Sequence, residues 1–180
     1  PNNNNVFYAT TQGATEYTDK VGDGAGVFKS NDRGNSWTQI NNGLDSLETN
    51  ILTVDPNDSE TLYLGTDDDG VYKSTDGGES WKKLTVSSLS KSFGVGDIIV
   101  DPQNSNNIYI GTVDYFRLSE SRGVLGDFGV YKSTDGGATW EEFNVGLNHL
   151  GVFSLELSEE NRILYAGTRA GGVYWISLDN

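Results

Sequence analysis

Three stretches of the sequence are nearly the same: GVFKSNDRGNSW at Gly26–Trp37, GVYKSTDGGESW at Gly70–Trp81 and GVYKSTDGGATW at Gly129–Trp140. Self-similarity of this kind marks an architecture in which each unit buries its apolar face only against its neighbours. A tyrosine-bearing segment precedes each copy: FYATT at Phe7–Thr11, LYLGT at Leu62–Thr66 and IYIGT at Ile108–Thr112. A fourth, LYAGT at Leu164–Thr168, leads into GVYWISLDN. Further upstream lie ILTVDP at Ile51–Pro56, DIIVDP at Asp97–Pro102 and VFSLELS at Val152–Ser158. The opening PNNNNVFYATT matches PQNSNNIYIGT, so Pro1 stands where Pro56 and Pro102 stand and the sequence opens inside a unit.

Each unit reads as four short strands, a to d: the VDP strand, the Tyr-x-Gly-Thr strand, the GVYKS strand and a strand led by tryptophan. Strands b and c alternate large apolar with small or polar residues, the period of a pleated strand. Gly, Asn and Asp clusters mark the junctions, and no long segment carries a helical stripe. Tyr8, Tyr63, Tyr109 and Tyr165 are 55, 46 and 56 residues apart, the size of a four-stranded propeller blade. The expected fold is all-β: one domain over residues 1–180, a β-propeller of antiparallel blades at approximately 1–50, 51–96, 97–150 and 151–180. Unit one lacks strand a and unit four lacks strand d. The four blades are therefore expected to form an arc of a larger ring, completed by further sequence or by another copy.

Composition agrees. The 180 residues include 23 Gly, 3 Pro, 9 Tyr, 7 Phe and 4 Trp, too aromatic for disorder. No apolar run approaches the roughly 18 to 20 residues of a membrane helix. The net charge of −14 repels polyanions, so nucleic acid and anionic lipid are not expected partners. Cys is absent, which removes disulfides, zinc–thiolate sites and thiol catalysis without fixing the compartment. Met is absent too; a Met-free sequence opening at Pro1 reads as a processed or excised chain, with no signal peptide left to read.

The repeated S-x-D-x-G-x-[ST]-W resembles the Asp-box, or BNR repeat, of sialidases, sortilin-type receptors, xyloglucanases and a photosystem assembly factor. The copies are Ser30-Asp32-Gly34-Ser36-Trp37, Ser74-Asp76-Gly78-Ser80-Trp81 and Ser133-Asp135-Gly137-Thr139-Trp140. A structural role is expected at the c–d hairpin: a short carboxylate accepting loop N–H groups, Gly at positive φ, and Trp sealing the turn. Burial of one such indole contributes roughly 2 to 3 kcal/mol.

The units differ between strands b and c. Units one and three carry long segments, Gln12–Ala25 and Val113–Phe128, whereas units two and four carry Asp67–Asp69 and Arg169–Gly171. The long–short alternation suggests duplication of a blade pair and an even blade number. In an antiparallel a-b-c-d blade the b–c and d–a connections share one face, opposite the Asp boxes. Long loops are where binding concentrates, so the candidate binding residues are Tyr17, Asp114, Tyr115, Phe116, Arg117, Arg122 and Phe128. Packing on neighbouring loops is the competing role for these side chains.

No metal site or cofactor is expected. Asp67-Asp68-Asp69-Gly70 lacks the EF-hand spacing and reads as a solvated turn. Gly22–Gly26 precedes a strand and lacks a Walker lysine. His149 is the lone histidine and reads as a surface residue. The five arginines form no motif resembling the sialidase triad, and no catalytic residue is assigned. The leading expectation is a non-catalytic extracellular or periplasmic scaffold binding protein or glycan through the long-loop face. The alternatives are a segment of a xyloglucanase-like glycoside hydrolase, and a self-assembling surface or filament protein.

Overall fold

The structure, a computed structural model, describes residues 5–12, 24–89, 93–114 and 127–179. Fourteen strands among these residues form four antiparallel sheets. Blade one holds β1 (Phe7–Thr11), β2 (Gly26–Ser30) and β3 (Thr38–Gln39); blade two holds β4 (Thr49–Asp55), β5 (Asp58–Thr66), β6 (Val71–Ser74) and β7 (Lys82–Lys83). Blade three holds β8 (Gly94–Val100), β9 (Ile108–Val113), β10 (Val130–Ser133) and β11 (Glu141–Glu142). Blade four holds β12 (Val152–Ser158), β13 (Ile163–Thr168) and β14 (Gly172–Ser177). Sheet order follows chain order throughout, so each unit is an up-and-down meander as the repeat implies.

Strand a of one blade packs on strands a and b of the blade before it. Each carries a register irregularity at the same place, around Asn50, Gly96 and Phe153; a bulge there bends the inner strand. The glycine of Tyr-x-Gly-Thr lets the blades close. A Cβ on Gly65 would lie 2.7 Å from Val95, and one on Gly111 2.7 Å from Val152, both on the next blade. Polar ties cross the same seams: Asn50 Nδ2 donates to the Val95 carbonyl at 2.8 Å and Thr53 Oγ1 to that of Ile98 at 2.8 Å. Asp97 accepts the Leu155 N–H at 2.8 Å.

The three Asp boxes are superimposable hydrogen-bonded corners. The serine Oγ accepts the glycine N–H at 2.8–2.9 Å at Gly34, Gly78 and Gly137. Asp Oδ1 accepts the serine hydroxyl and the N–H of Ser36, Ser80 or Thr139. Oδ2 accepts the hydroxyl of that last residue. With φ near +90° at Gly34, Gly78 and Gly137, a side chain at these positions would be strained.

One residue of each corner also reaches outward, and in blades two and three it faces two ways. The N–H of Arg33, Gly77 and Gly136 donates to the a–b loop of its own blade, at the carbonyls of Asn5, Glu60 and Asn106. The carbonyls of Gly77 and Gly136 accept Lys29 Nζ and Lys73 Nζ from the preceding blade, at 2.9 and 3.0 Å. The Asp boxes and the a–b loops thus share a face, as strand order requires. On that face Arg162 also makes a bidentate pair with buried Asp101, at 2.6 and 3.0 Å.

The tryptophans do not behave alike. Trp81 and Trp140 are 5% and 7% exposed in the seams before blades two and three, whereas Trp37 is 43% exposed. The expected sealing of all three turns is therefore corrected for Trp37, because among the described residues no preceding blade packs on its indole. Trp140→Ala should cost about 3–5 kcal/mol in urea unfolding, and Trp37→Ala much less. Equal losses would contradict this packing.

Candidate functional site

On the face opposite the Asp boxes, four threonines close the b–c loops in one way. Thr11, Thr66, Thr112 and Thr168 each donate Oγ1–H to the carbonyl of the glycine opening strand c, at 2.9–3.0 Å. Each hydroxyl also accepts a loop N–H, from Ala25, Asp69, Phe128 and Gly171. Ordinary bends and long loops therefore leave from identical bases. Under the long loops a second clip appears: Asn41 bonds Val27 N–H and the Ala25 carbonyl, and Asn144 bonds Val130 N–H and the Phe128 carbonyl. The alternation of blade types thus extends to the hydrogen bonding.

The d–a loops sit beside the b–c loops, as strand order demands. Gly26, Gly70 and Gly129 donate N–H to the carbonyls of Leu47, Phe93 and Leu150. Across blades, the residues after the clip threonines interlock. Gln12 Nε2 donates to Asp67 Oδ2 at 2.6 Å, joining blades one and two. Arg169 donates to the Asp114 carbonyl, joining blades three and four, and its guanidinium lies 5.1 Å from the centre of the Phe153 ring.

Of the candidate binding residues, Tyr17, Tyr115, Phe116, Arg117 and Arg122 lie outside the described residues. Asp114 is buried, its N–H donating to Asp127 Oδ1 at 2.8 Å. Phe128 is half-buried and packs on the core cluster between blades two and three. Both therefore brace the foot of the long loop. His149 is exposed, as the sequence implies.

The reading of Asp67 as part of a solvated turn is overturned: Asp67 is 1% exposed and its Oδ1 has no hydrogen-bond partner among the described residues. Burial raises its carboxyl to about 6, assisted by the charges of Glu48 and Asp68 and opposed by the Gln12 hydrogen bond. Glu48 is itself buried, its Oε1 accepting the Gly24 N–H at 3.2 Å. Sequence reasoning weighed Asp67 as a metal ligand and read it as a solvated turn residue. The signal for it was position, one residue past the clip threonine and facing the neighbouring blade. Asp69 instead binds Tyr72 Oη and Lys83 Nζ at the loop's outer side. The face thus combines buried carboxyls, an arginine stacked on an aromatic ring, and hydrogen-bonded loop amides.

The family described as Sortilin-Vps10 (sortilin, neurotensin receptor 3) matches residues 25–174. Xyloglucanase Xgh74A of Acetivibrio thermocellus is 36% identical over 96 residues, covering 48% of this chain and 11% of that protein. The chain thus spans only about a tenth of the relative's length, 11%. The crystal structure of an ancestral GH74 enzyme is similar at a TM-score of 0.65 and 24% identity, covering 96% of this chain and 22% of that one. YCF48 from Cyanidioschyzon merolae is similar at a TM-score of 0.62 and 13% identity, covering 87% and 46%. These structural likenesses establish the β-propeller fold.

Two predictions follow from the face's geometry. Removing the Thr112 hydroxyl leaves the Phe128 N–H without its acceptor, while the Gly129 carbonyl keeps the Thr112 N–H, so Thr112→Val should cost about 1–3 kcal/mol in denaturant unfolding; an unchanged midpoint would contradict the clip. The folded protein keeps a proton on Asp67 that the unfolded chain, at the ordinary value of 3.8, has released by about pH 6. Asp67 therefore removes stability as pH rises from about 4 to 6, and the loss is complete above that window. Asp67→Asn should raise Tm at pH 8 by several degrees and change it little at pH 3.5, read by calorimetry. An unchanged Tm at pH 8 would contradict the assignment.

Proposed function

The chain belongs to the Sortilin-Vps10 family, and on that premise we propose that it is a propeller segment whose b–c face binds a β-glucan of the xyloglucan class. The observation that carries the reading is the xyloglucanase relative, 36% identical over 96 residues. The face agrees with it. The long b–c segments bring Tyr17, Tyr115, Phe116, Arg117 and Arg122 in sequence to loops anchored on the threonine and asparagine clips. Sugar faces stack on aromatic rings while arginines bond their hydroxyls. A neutral polymer also meets no repulsion from a protein of net charge −14, whereas a polyanion would. A polysaccharide does not cross a bilayer unaided, so its binder works outside the cytoplasm, in the extracellular space or periplasm.

A second reading is favoured by Asp67. A carboxyl that stays protonated to about pH 6 is the kind of group that serves as a general acid. Glycoside hydrolysis needs a second carboxylate across the cleft, and in this reading the chain supplies one wall of such a cleft.

Titration calorimetry with xyloglucan oligosaccharides separates these readings. The binding reading expects saturable heat that is insensitive to salt, weakened about tenfold by Tyr115→Ala or Phe116→Ala, the size of one lost aromatic contact of about 1.4 kcal/mol. Hydrolysis abolished by Asp67→Asn would favour the second. No binding to any β-glucan at millimolar concentration would overturn both.

A further inference from the structure

The long b–c segment of blade one is fastened to blade two at both of its feet. Gln12 Nε2 donates to Asp67 Oδ2 at 2.6 Å, and the Gly24 N–H donates to Glu48 Oε1 at 3.2 Å. Both acceptors belong to buried residues, Glu48 just ahead of β4 and Asp67 just after β5. Their main chains are joined, the Asp67 N–H donating to the Glu48 carbonyl at 2.9 Å. Gly24 approaches so closely that a Cβ there would stand 2.3 Å from the Leu47 carbonyl oxygen. Each foot therefore depends on one of two neighbouring carboxyls.

The seam between blades three and four keeps this main-chain pattern and changes its charges. The Arg169 N–H donates to the Gly151 carbonyl at 2.8 Å, so Arg169 stands where Asp67 does and Gly151 where Glu48 does. Counted back from the glycine that opens strand c, Asp127 stands where Gly24 does. Carboxyl and glycine have thus changed sides: a Cβ on Gly151 would lie 3.0 Å from the Asp127 carboxyl. This seam also gains a cation, since Arg169 donates to the Asp114 carbonyl. Around Asp67 the balance is different. The charges acting on it are those of Glu48, from the segment ahead of β4, and Asp68, its neighbour in the bend. Blade one presents only the neutral amide of Gln12 among the described residues, and Lys83 of β7 pairs with Asp69 on the outer side of the bend.

We propose that the seam between blades one and two is a proton-dependent fastening: a neutral Asp67 holds Gln12 and Gly24 against blade two, and an ionised Asp67 releases them. Protonation leaves Oδ2 as the acceptor for Gln12 and removes the charge that opposes Glu48. Ionisation sets two buried carboxylates at one seam, with Oδ1 of Asp67 lacking a donor among the described residues. A buried charge so placed is costly, and the cost is relieved when Gln12 withdraws and water enters. The seam carrying Arg169 is the counterpart that does not respond to pH. This device governs how the face is held and is independent of what the face binds.

Hydrogen exchange followed by NMR at pH 5 and pH 8, corrected for the intrinsic pH dependence of exchange, tests the fastening at single amides. Asp67 ionises at about 6 in the closed seam and at the ordinary 3.8 once opened, so protection of the Gly24 amide should fall about tenfold between the two conditions. The Phe128 amide, bonded to Thr112 as Ala25 is to Thr11, should keep constant protection. Asp67→Asn should give Gly24 equal protection at both pH values. Glu48→Gln, which keeps an acceptor for Gly24 and loses the charge, should shrink the fall. Constant protection of Gly24 in the unaltered chain would overturn the proposal, and so would an equal fall at Phe128, because the whole chain would then be loosening. A fall that persists undiminished in a folded Asp67→Asn protein would also overturn it; where that variant does not fold, one undiminished in Glu48→Gln does so instead.

Discussion

The structure depends on one corner: an aspartate carboxylate that gathers a serine hydroxyl, a backbone N–H and a second hydroxyl within a single c–d hairpin. Those bonds hold the loop in a shape in which one residue points both ways. Its N–H binds the a–b loop of its own blade, and its carbonyl is left for the lysine of the blade before. The carboxylate never leaves its hairpin, yet it sets the geometry through which blades join. Because each hydrogen bond contributes only about 1 kcal/mol net, the corner works by repetition and by aiming the indole, whose burial contributes more.

The blade architecture was legible because its determinants recur in sequence. The spacing of the tyrosines, the Tyr-x-Gly-Thr glycine and the Ser-x-Asp-x-Gly-x-Ser/Thr-Trp order each mark a position that the fold uses identically in successive units. Sidedness followed from strand order alone. What the sequence did not disclose were properties of neighbours. Trp37 and Trp81 have the same local motif, yet one is exposed and the other buried, because burial depends on the preceding blade. Asp67 sits in a run of three acids that reads as solvated, but the first of them turns into the seam against Gln12. Asp114 and Phe128, read as candidate binding residues, stand at the loop's foot.

The two faces divide the labour of the fold. The Asp-box face is stitched by local turns, lysine clasps and the Asp101–Arg162 pair, so it holds the blades at fixed spacing. The opposite face is closed at its base by the threonine clips, above which loop length is free to change without disturbing the sheets. Blades two and four use that freedom for short bends, and blades one and three for long segments. Function placed on the second face can vary while the first stays constant.

The central claim is tested most directly by following the side-chain carboxyl carbons of Asp32, Asp76 and Asp135 through an acid titration by NMR. Hydrogen bonds from the flanking hydroxyls and N–H groups should hold all three at about 2, well below the ordinary value of 3.8. Titration of these three carboxyls near the ordinary value of 3.8 would show that the corners are not formed as described, and the joining of the blades would need another explanation.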